Sequence, residues 1–333
     1  MYITTAACLN VYLPFFFILH QRKEAFFTKS LHTVIMANTL QDRRIAGMIT
    51  GLVLEGGGMR GIYTAGVLDC LMDHGVSIPN IYGVSAGACH GVSYVSNQRG
   101  RAARTILDFV GRRDYASFYN LATTGSYFGE ELIYRQIPDE LVPFDYDTYK
   151  TSGSTLYSVV FNCRTGEAEY LPATDMRLHM EYIKASASLP LLSRMVKLGE
   201  GEYLDGGISD SIPLARSIAD GNAENLVVLT QHRGYEKKPM SMLSLLRLRY
   251  KRYPQLADAL AVRHDRYNEQ LALVYRQEAK GKAIVIQPGT PVQIGRMEKD
   301  TSRLSALYDQ GYADTEASLP AIRALCATPP SSS

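Results

Sequence analysis

The chain has 333 residues, 46% of them hydrophobic and 20% charged, a balance that suits a globular protein and excludes a disordered chain or a polytopic membrane protein. With 35 Lys and Arg against 33 Asp and Glu the net charge is +2, which excludes a dedicated nucleic-acid binder, so no nucleic-acid partner is expected. The five cysteines, Cys8, Cys70, Cys89, Cys163 and Cys326, are scattered and never form a C-x-x-C pair. That fits neither a disulfide framework nor a zinc site and points to a reducing, cytoplasmic compartment.

Residues 1–47 read as an N-terminal extension ahead of the folded domain. Their apolar run, 11–19 (VYLPFFFIL), is broken by Pro14 and falls well short of the roughly 20 residues a spanning helix needs. No Lys or Arg precedes Arg22 to open a secretory signal. A dispensable stretch before a later start such as Met36 or Met48 is the simplest reading, with an atypical signal or a surface anchor as the alternative.

The pattern sharpens at 48–55 (MITGLVLE), a short apolar run expected to be a buried strand. Gly56, Gly57 and Gly58 break it. Ile62, Val67, Leu68 and Leu71, with Gly75 after His74, then mark a helix and its stop. A second strand at 78–84 runs into the small-residue stretch SAGACHGVSYV, suited to a helix packed closely on a sheet, so the unit is strand, helix, parallel strand. Further strands are expected at 155–163, 203–204, 226–231 and 283–287, and an Arg-rich helical stretch at 240–280 broken at Pro254. The expected fold is α/β, a mostly parallel central sheet between layers of helices. The expected domain is 48–318, including the helical Arg-rich part at about 237–280, with 319–333 as a tail closing in PPSSS.

Gly83-Val84-Ser85-Ala86-Gly87 matches G-x-S-x-G with a strand before it and a helix after it, the context in which a serine sits on a strained turn with its hydroxyl exposed. A plain N-cap serine in a glycine-rich turn is the competing reading. Glu55-Gly56-Gly57-Gly58-Met59-Arg60-Gly61 follows the first strand, with Gly57 28 residues before the serine. Its bare amides could converge on an oxyanion, and Arg60 could hold the loop in shape. The same letters contain the dinucleotide fingerprint G-x-G-x-x-G, but no Asp or Glu stands between Asp73 and Asp108, where a ribose would need one. A serine also needs a base. Asp205, in Asp205-Gly206-Gly207 after the short run at 202–204, is one candidate; His232, at the end of the strand at 226–231, would complete a triad. His74, His90, His179 and His264 are less well placed.

Together, EGGGMRG, GVSAG and DGG resemble the patatin-like phospholipase family, and 184–190 (KASASLP) resembles the small-residue segment that precedes the D-G-G turn there. The resemblance covers 48–235 and extends toward 315. It implies Ser85 as nucleophile, Asp205 as its only side-chain partner, and Gly56, Gly57 and Gly58 with Arg60 as the oxyanion loop. Gly83 and Gly87 would form the nucleophile elbow, and Gly206 and Gly207 the D-G-G turn. It implies a lipid ester substrate, no cofactor and no metal. A departure is Glu55, where many members carry aspartate. The alternatives left open are a histidine-assisted esterase using Ser85, Asp205 and His232, and a catalytically silent lipid-binding protein. For an interface, 237–252 (KKPMSMLSLLRLRYKR) is a basic amphipathic segment suited to peripheral contact with a membrane surface, and equally to a cap helix with solvated charges. The stretch 115–128 is a candidate lining for the acyl chain.

Overall fold

The computed structural model describes residues 51–327. The expectations for 1–50, including the extension and the start of the first strand, and for the closing PPSSS lie outside the described residues. The chain runs β1 (Gly51–Leu54), α1 (Ile62–Asp73), β2 (Asn80–Val84), α2 (Ala86–Val95), α3 (Arg101–Leu107), α4 (Phe118–Thr124), a π-helical stretch (Leu132–Leu141), α5 (Tyr146–Thr151), β3 (Thr155–Asn162), β4 (Ala168–Ala173) and α6 (Met176–Ser186). It continues through β5 (Val196–Leu198), β6 (Gly201–Asp205), α7 (Leu214–Ala219), β7 (Asn225–Val228), α8 (Leu243–Arg249), α9 (Pro254–Ala261), α10 (Arg263–Ala279), β8 (Ala283–Ile286) and α11 (Thr301–Ala327).

The strands form one sheet in the order β5-β6-β3-β2-β1-β7-β8, with β4 also on β3. β3, β2, β1, β7 and β8 are parallel neighbours, while β4, β5 and β6 run antiparallel. This is the mostly parallel α/β sheet expected from the sequence. β1 is central and its four residues are all buried, which is why it reads as an unbroken apolar run rather than an alternating one. Leu52 and Leu54 pack on one face with α1 and α2, and Val53 packs on the other with Leu214 of α7 and Tyr267, Leu271 and Val274 of α10. The result is a helix, sheet, helix sandwich.

The sequence reading missed β4, β5 and α11. β4 carries Pro172, tolerable because it pairs only along β3, and β5 has three residues. α11 hides its pattern behind Gly311 and Pro320. A Cβ on Gly311 would stand 2.1 Å from the Tyr63 carbonyl oxygen, and one on Gly66 would stand 2.1 Å from that of Tyr308, so α1 and α11 touch backbone to backbone. Leu319 and Ile322 are buried, so the helix stays packed beyond 318, where a tail is expected from the sequence. The Arg-rich stretch is three helices, with Pro254 in the first turn of α9, where it has no amide to waste.

Candidate active site

Ser85 sits between β2 and α2 at φ 54°, ψ −119°, a strained conformation for a residue with a side chain. Ser85 stands at the N-cap position of α2, but its hydroxyl makes no capping bond to the helix. Crowding explains the flanking glycines. A Cβ on Gly83 would lie 2.7 Å from Ala88 Cα, and one on Gly87 would lie 2.4 Å from the Leu54 carbonyl oxygen. Gly87→Ala must push α2 off β1 and is expected to destabilise the protein by roughly 1–3 kcal/mol, read as an earlier urea midpoint. The turn is fastened from α6: the Ser85 N–H donates to Ser186 Oγ (2.8 Å), and the Ser186 hydroxyl donates to the Val159 carbonyl (2.6 Å).

Asp205 reaches Ser85 through strand register. Val84, at the end of β2, is paired with Val159 of β3, and Asp205, at the end of β6, is paired with the next residue, Val160. Val160 and Phe161 already pair with β4 on their other edge, so β6 must share the edge that β2 uses. Antiparallel β6 and parallel β2 therefore meet end to end, and their last residues bring carboxylate and hydroxyl together. Gly206 is needed for the turn away, since its Cβ would stand 2.2 Å from the Val159 carbonyl oxygen. The Gly207 N–H donates to Asp205 Oδ1 (2.8 Å). Burial raises the Asp205 carboxyl above its ordinary value, against the lowering effects of a hydrogen bond from Ser85, the Gly207 amide, Arg263 and Arg296.

The glycine loop lies against the serine: a Cβ on Gly56 would be 3.1 Å from Ser85 Cβ. Gly58 has φ +58°, a left-handed conformation that favours glycine. The flanking amides are engaged, Glu55 N–H with the Val228 carbonyl (3.0 Å) and Met59 N–H with the Arg296 carbonyl (3.2 Å). Those of Gly56, Gly57 and Gly58 have no acceptor among the described residues. Glu55 clamps the loop from below. Its Oε2 accepts from Thr230 N–H (2.6 Å) and from the Thr230 hydroxyl (3.1 Å), and its Oε1 accepts from the Tyr267 hydroxyl (2.7 Å). That clamp takes the Thr230 amide out of sheet pairing, and β7 ends at Val228 instead of running to 231.

Ser85, Gly58 and Leu189 line two cavities at once. The first is apolar, walled by Ile106, Tyr115, Phe128, Ile133, Met176 and Ile183 among others. Tyr115, Ser126 and Phe128 of the stretch 115–128 belong to it, whereas Phe118 and Tyr119 on α4 are exposed. The second holds Asp205, Gly56, Gly57 and Arg60 together with Lys237, Arg263, Tyr267 and Arg296, four residues the sequence reading did not assign to the site. His232 lines neither; its ring packs edge-on against Tyr235. His90 lines the apolar cavity with neither ring nitrogen partnered among the described residues, and burial pulls it down to about 4, which favours the neutral form. Burial pushes the Cys89 thiol up to about 12, which leaves no thiolate to compete with the serine at neutral pH. Among the described residues no cluster of three or more His, Cys, Asp or Glu side chains could hold a metal ion, and no helix is long and apolar enough to cross a membrane.

The chain belongs to the patatin-like phospholipase family, whose profile matches residues 52–217. Residues 253–327 match a separate profile, a domain of unknown function (DUF6363). The family match thus ends before the 235 suggested by the sequence motifs, and the second profile spans α9 to α11. Among curated relatives, the uncharacterized protein YjjU of Escherichia coli K12 is 32% identical over 186 residues, 54% of this chain and 50% of that one. Lysophospholipase NTE1 of Cryptococcus neoformans is 30% identical over 56% of this chain and 11% of its own. A probable lipid hydrolase, 463L, of Invertebrate iridescent virus 6 is 25% identical over 52% of this chain and 65% of its own. The chain therefore spans half or less of the length of YjjU and NTE1. The crystal structure of VipD from Legionella pneumophila aligns with 81% of this chain and 66% of its own at a TM-score of 0.44 and 14% identity.

Proposed function

We propose that the protein is a serine hydrolase of lipid carboxylic esters, working through a Ser85–Asp205 dyad. The observation that carries this reading is the meeting of a strained serine with a buried carboxylate, beside an apolar cavity and three glycine amides that have no acceptor among the described residues. Ser85 Oγ attacks the ester carbonyl carbon as Asp205 takes its proton. The glycine amides, with the amino terminus of α2, hold the oxyanion. Collapse expels the alcohol, which takes the proton from Asp205; a water molecule then gives a proton to Asp205 as it attacks the acyl-enzyme, and collapse of the second intermediate breaks the bond to Ser85 Oγ, which regains that proton from Asp205 as the fatty acid leaves. The family, and relatives named as lysophospholipase and lipid hydrolase, support lipid esters as substrate. In the segment 237–252, Met242, Leu245 and Leu248 are exposed beside Arg249, Lys251 and Arg252, an arrangement suited to peripheral contact with an anionic membrane.

The direct test is turnover of p-nitrophenyl butyrate by wild type and by Ser85→Ala: hydrolysis by the first and none by the second is expected, and equal rates would sink the reading. The pH profile adds a second check. Asp205 acts only when ionised, and burial favours its protonated form, so kcat/KM is expected to fall as pH drops through a value above the ordinary 3.8 of an aspartate. A rate still flat at pH about 4, on folded protein, would argue for another base.

A further inference from the structure

The second cavity beside Ser85 is ringed by cations. Arg60 comes from the glycine loop, Lys237 from the segment before α8, Arg263 from the start of α10 and Arg296 from the loop before α11. Two carboxylates share this cleft with them, and both are committed, Glu55 to Thr230 and Tyr267, Asp205 to Gly207 and Ser85. None of the four cations forms an ion pair with an acidic side chain among the described residues, and Arg60 Nε is buried without a hydrogen-bond partner. Two are pinned in place: Arg263 Nε donates to the Gly207 carbonyl, and Lys237 Nζ sits 3.7 Å from the centroid of the Tyr267 ring. Converging like charges with too little countercharge are costly to hold unless an anion joins them.

Resting on the reading of Ser85 as the reacting group, we propose that this cleft binds the phosphate on the alcohol half of the substrate, and that the protein selects lipid esters whose headgroup is net anionic. With the ester at Ser85, which lines both, the acyl chain runs into the apolar cavity and the alcohol half into the cationic cleft. Arginine forks suit phosphate oxygens, whereas phosphocholine brings a further cation with its phosphate and an uncharged glyceride brings no anion at all. Burial, then Arg263, pulls the Lys237 ammonium down to about 7, with Glu55 opposing and Arg296 and Arg60 adding, a strain that a bound phosphate would relieve. Lys237, Arg263 and Arg296 all lie beyond residue 217, the end of the family match, and the last two lie within 253–327. The hydrolytic groups thus come from the first part of the chain, and three of the four cations come from beyond it.

The test compares hydrolysis of 1-acyl lysophosphatidic acid, lysophosphatidylcholine and monoacylglycerol of one chain length, with glycerol 3-phosphate and inorganic phosphate as competitors. Wild type is expected to favour the lysophosphatidic acid by at least ten-fold in kcat/KM, and to bind glycerol 3-phosphate more tightly than inorganic phosphate. Lys237→Met with Arg296→Gln should collapse that ratio and raise the inhibition constant of glycerol 3-phosphate about ten-fold, while Lys237→Arg restores both. Tighter binding of inorganic phosphate than of glycerol 3-phosphate, or ratios unchanged by the double substitution, would overturn the proposal. Binding of glycerol 3-phosphate to Ser85→Ala, followed by phosphorus NMR, needs no turnover. A protein that binds it without hydrolysing esters keeps this site and loses the hydrolase reading; one that hydrolyses esters and ignores it does the reverse.

Discussion

Asp205→Asn is expected to lower kcat on a short-chain ester by about 10³-fold, inside the roughly 10²–10⁴ that a positioned acid–base group supplies. The amide keeps the volume of the carboxylate and can still accept from the Gly207 N–H, so the turn after β6 should hold. What it loses is the capacity to take the serine proton. Stability should change little, because removing a buried charge relieves its desolvation while depriving Arg263 and Arg296 of a nearby anion. The matched control is His232→Ala, which should retain activity within about two-fold, since that ring lines neither cavity of the serine. Loss of activity in His232→Ala with survival in Asp205→Asn would transfer the base to the histidine.

Glu55→Ala should cost more stability than any substitution on the protein surface. It leaves the Thr230 amide and the Tyr267 hydroxyl buried without an acceptor, each worth about 1–3 kcal/mol, and it removes one of the two carboxylates from a cleft holding four cations. A loss of roughly 2–5 kcal/mol is expected in urea unfolding, with residual protein showing a misplaced glycine loop as lower kcat rather than higher KM. Unchanged unfolding would mean that the clamp does not hold the loop.

The sheet and the three glycine-rich motifs were legible because each depends on local letters: a continuous apolar run for a doubly buried strand, and glycines where a Cβ would strike backbone. The juxtaposition of Ser85 with Asp205 was legible only through resemblance, since it follows from β2 and β6 sharing one edge of β3, and strand order leaves no mark on spacing. Lys237, Arg263 and Arg296 escaped notice for a different reason. In the Arg-rich stretch nothing separates Lys237 and Arg263, which turn inward, from the basic residues that stay solvated, and Arg296 stands in a loop beyond it with no motif around it; Lys237, within a stretch with the pattern of an amphipathic surface, lies over Tyr267 inside the cleft. Glu55 was read as a small departure from the motif, although its carboxylate ties the loop to β7 and α10. α11 is not visible in the sequence because Gly311 and Pro320 interrupt its pattern, whereas the glycine is what lets the helix touch α1.

The most direct measurement is peptide mapping by mass spectrometry after reaction of the folded protein with a fluorophosphonate, which traps an activated serine as a covalent adduct. Stoichiometric labelling of Ser85 is expected, lost in Ser85→Ala and slowed by orders of magnitude in Asp205→Asn. Labelling at another residue, or an inert Ser85 in protein that still hydrolyses esters, would contradict the dyad.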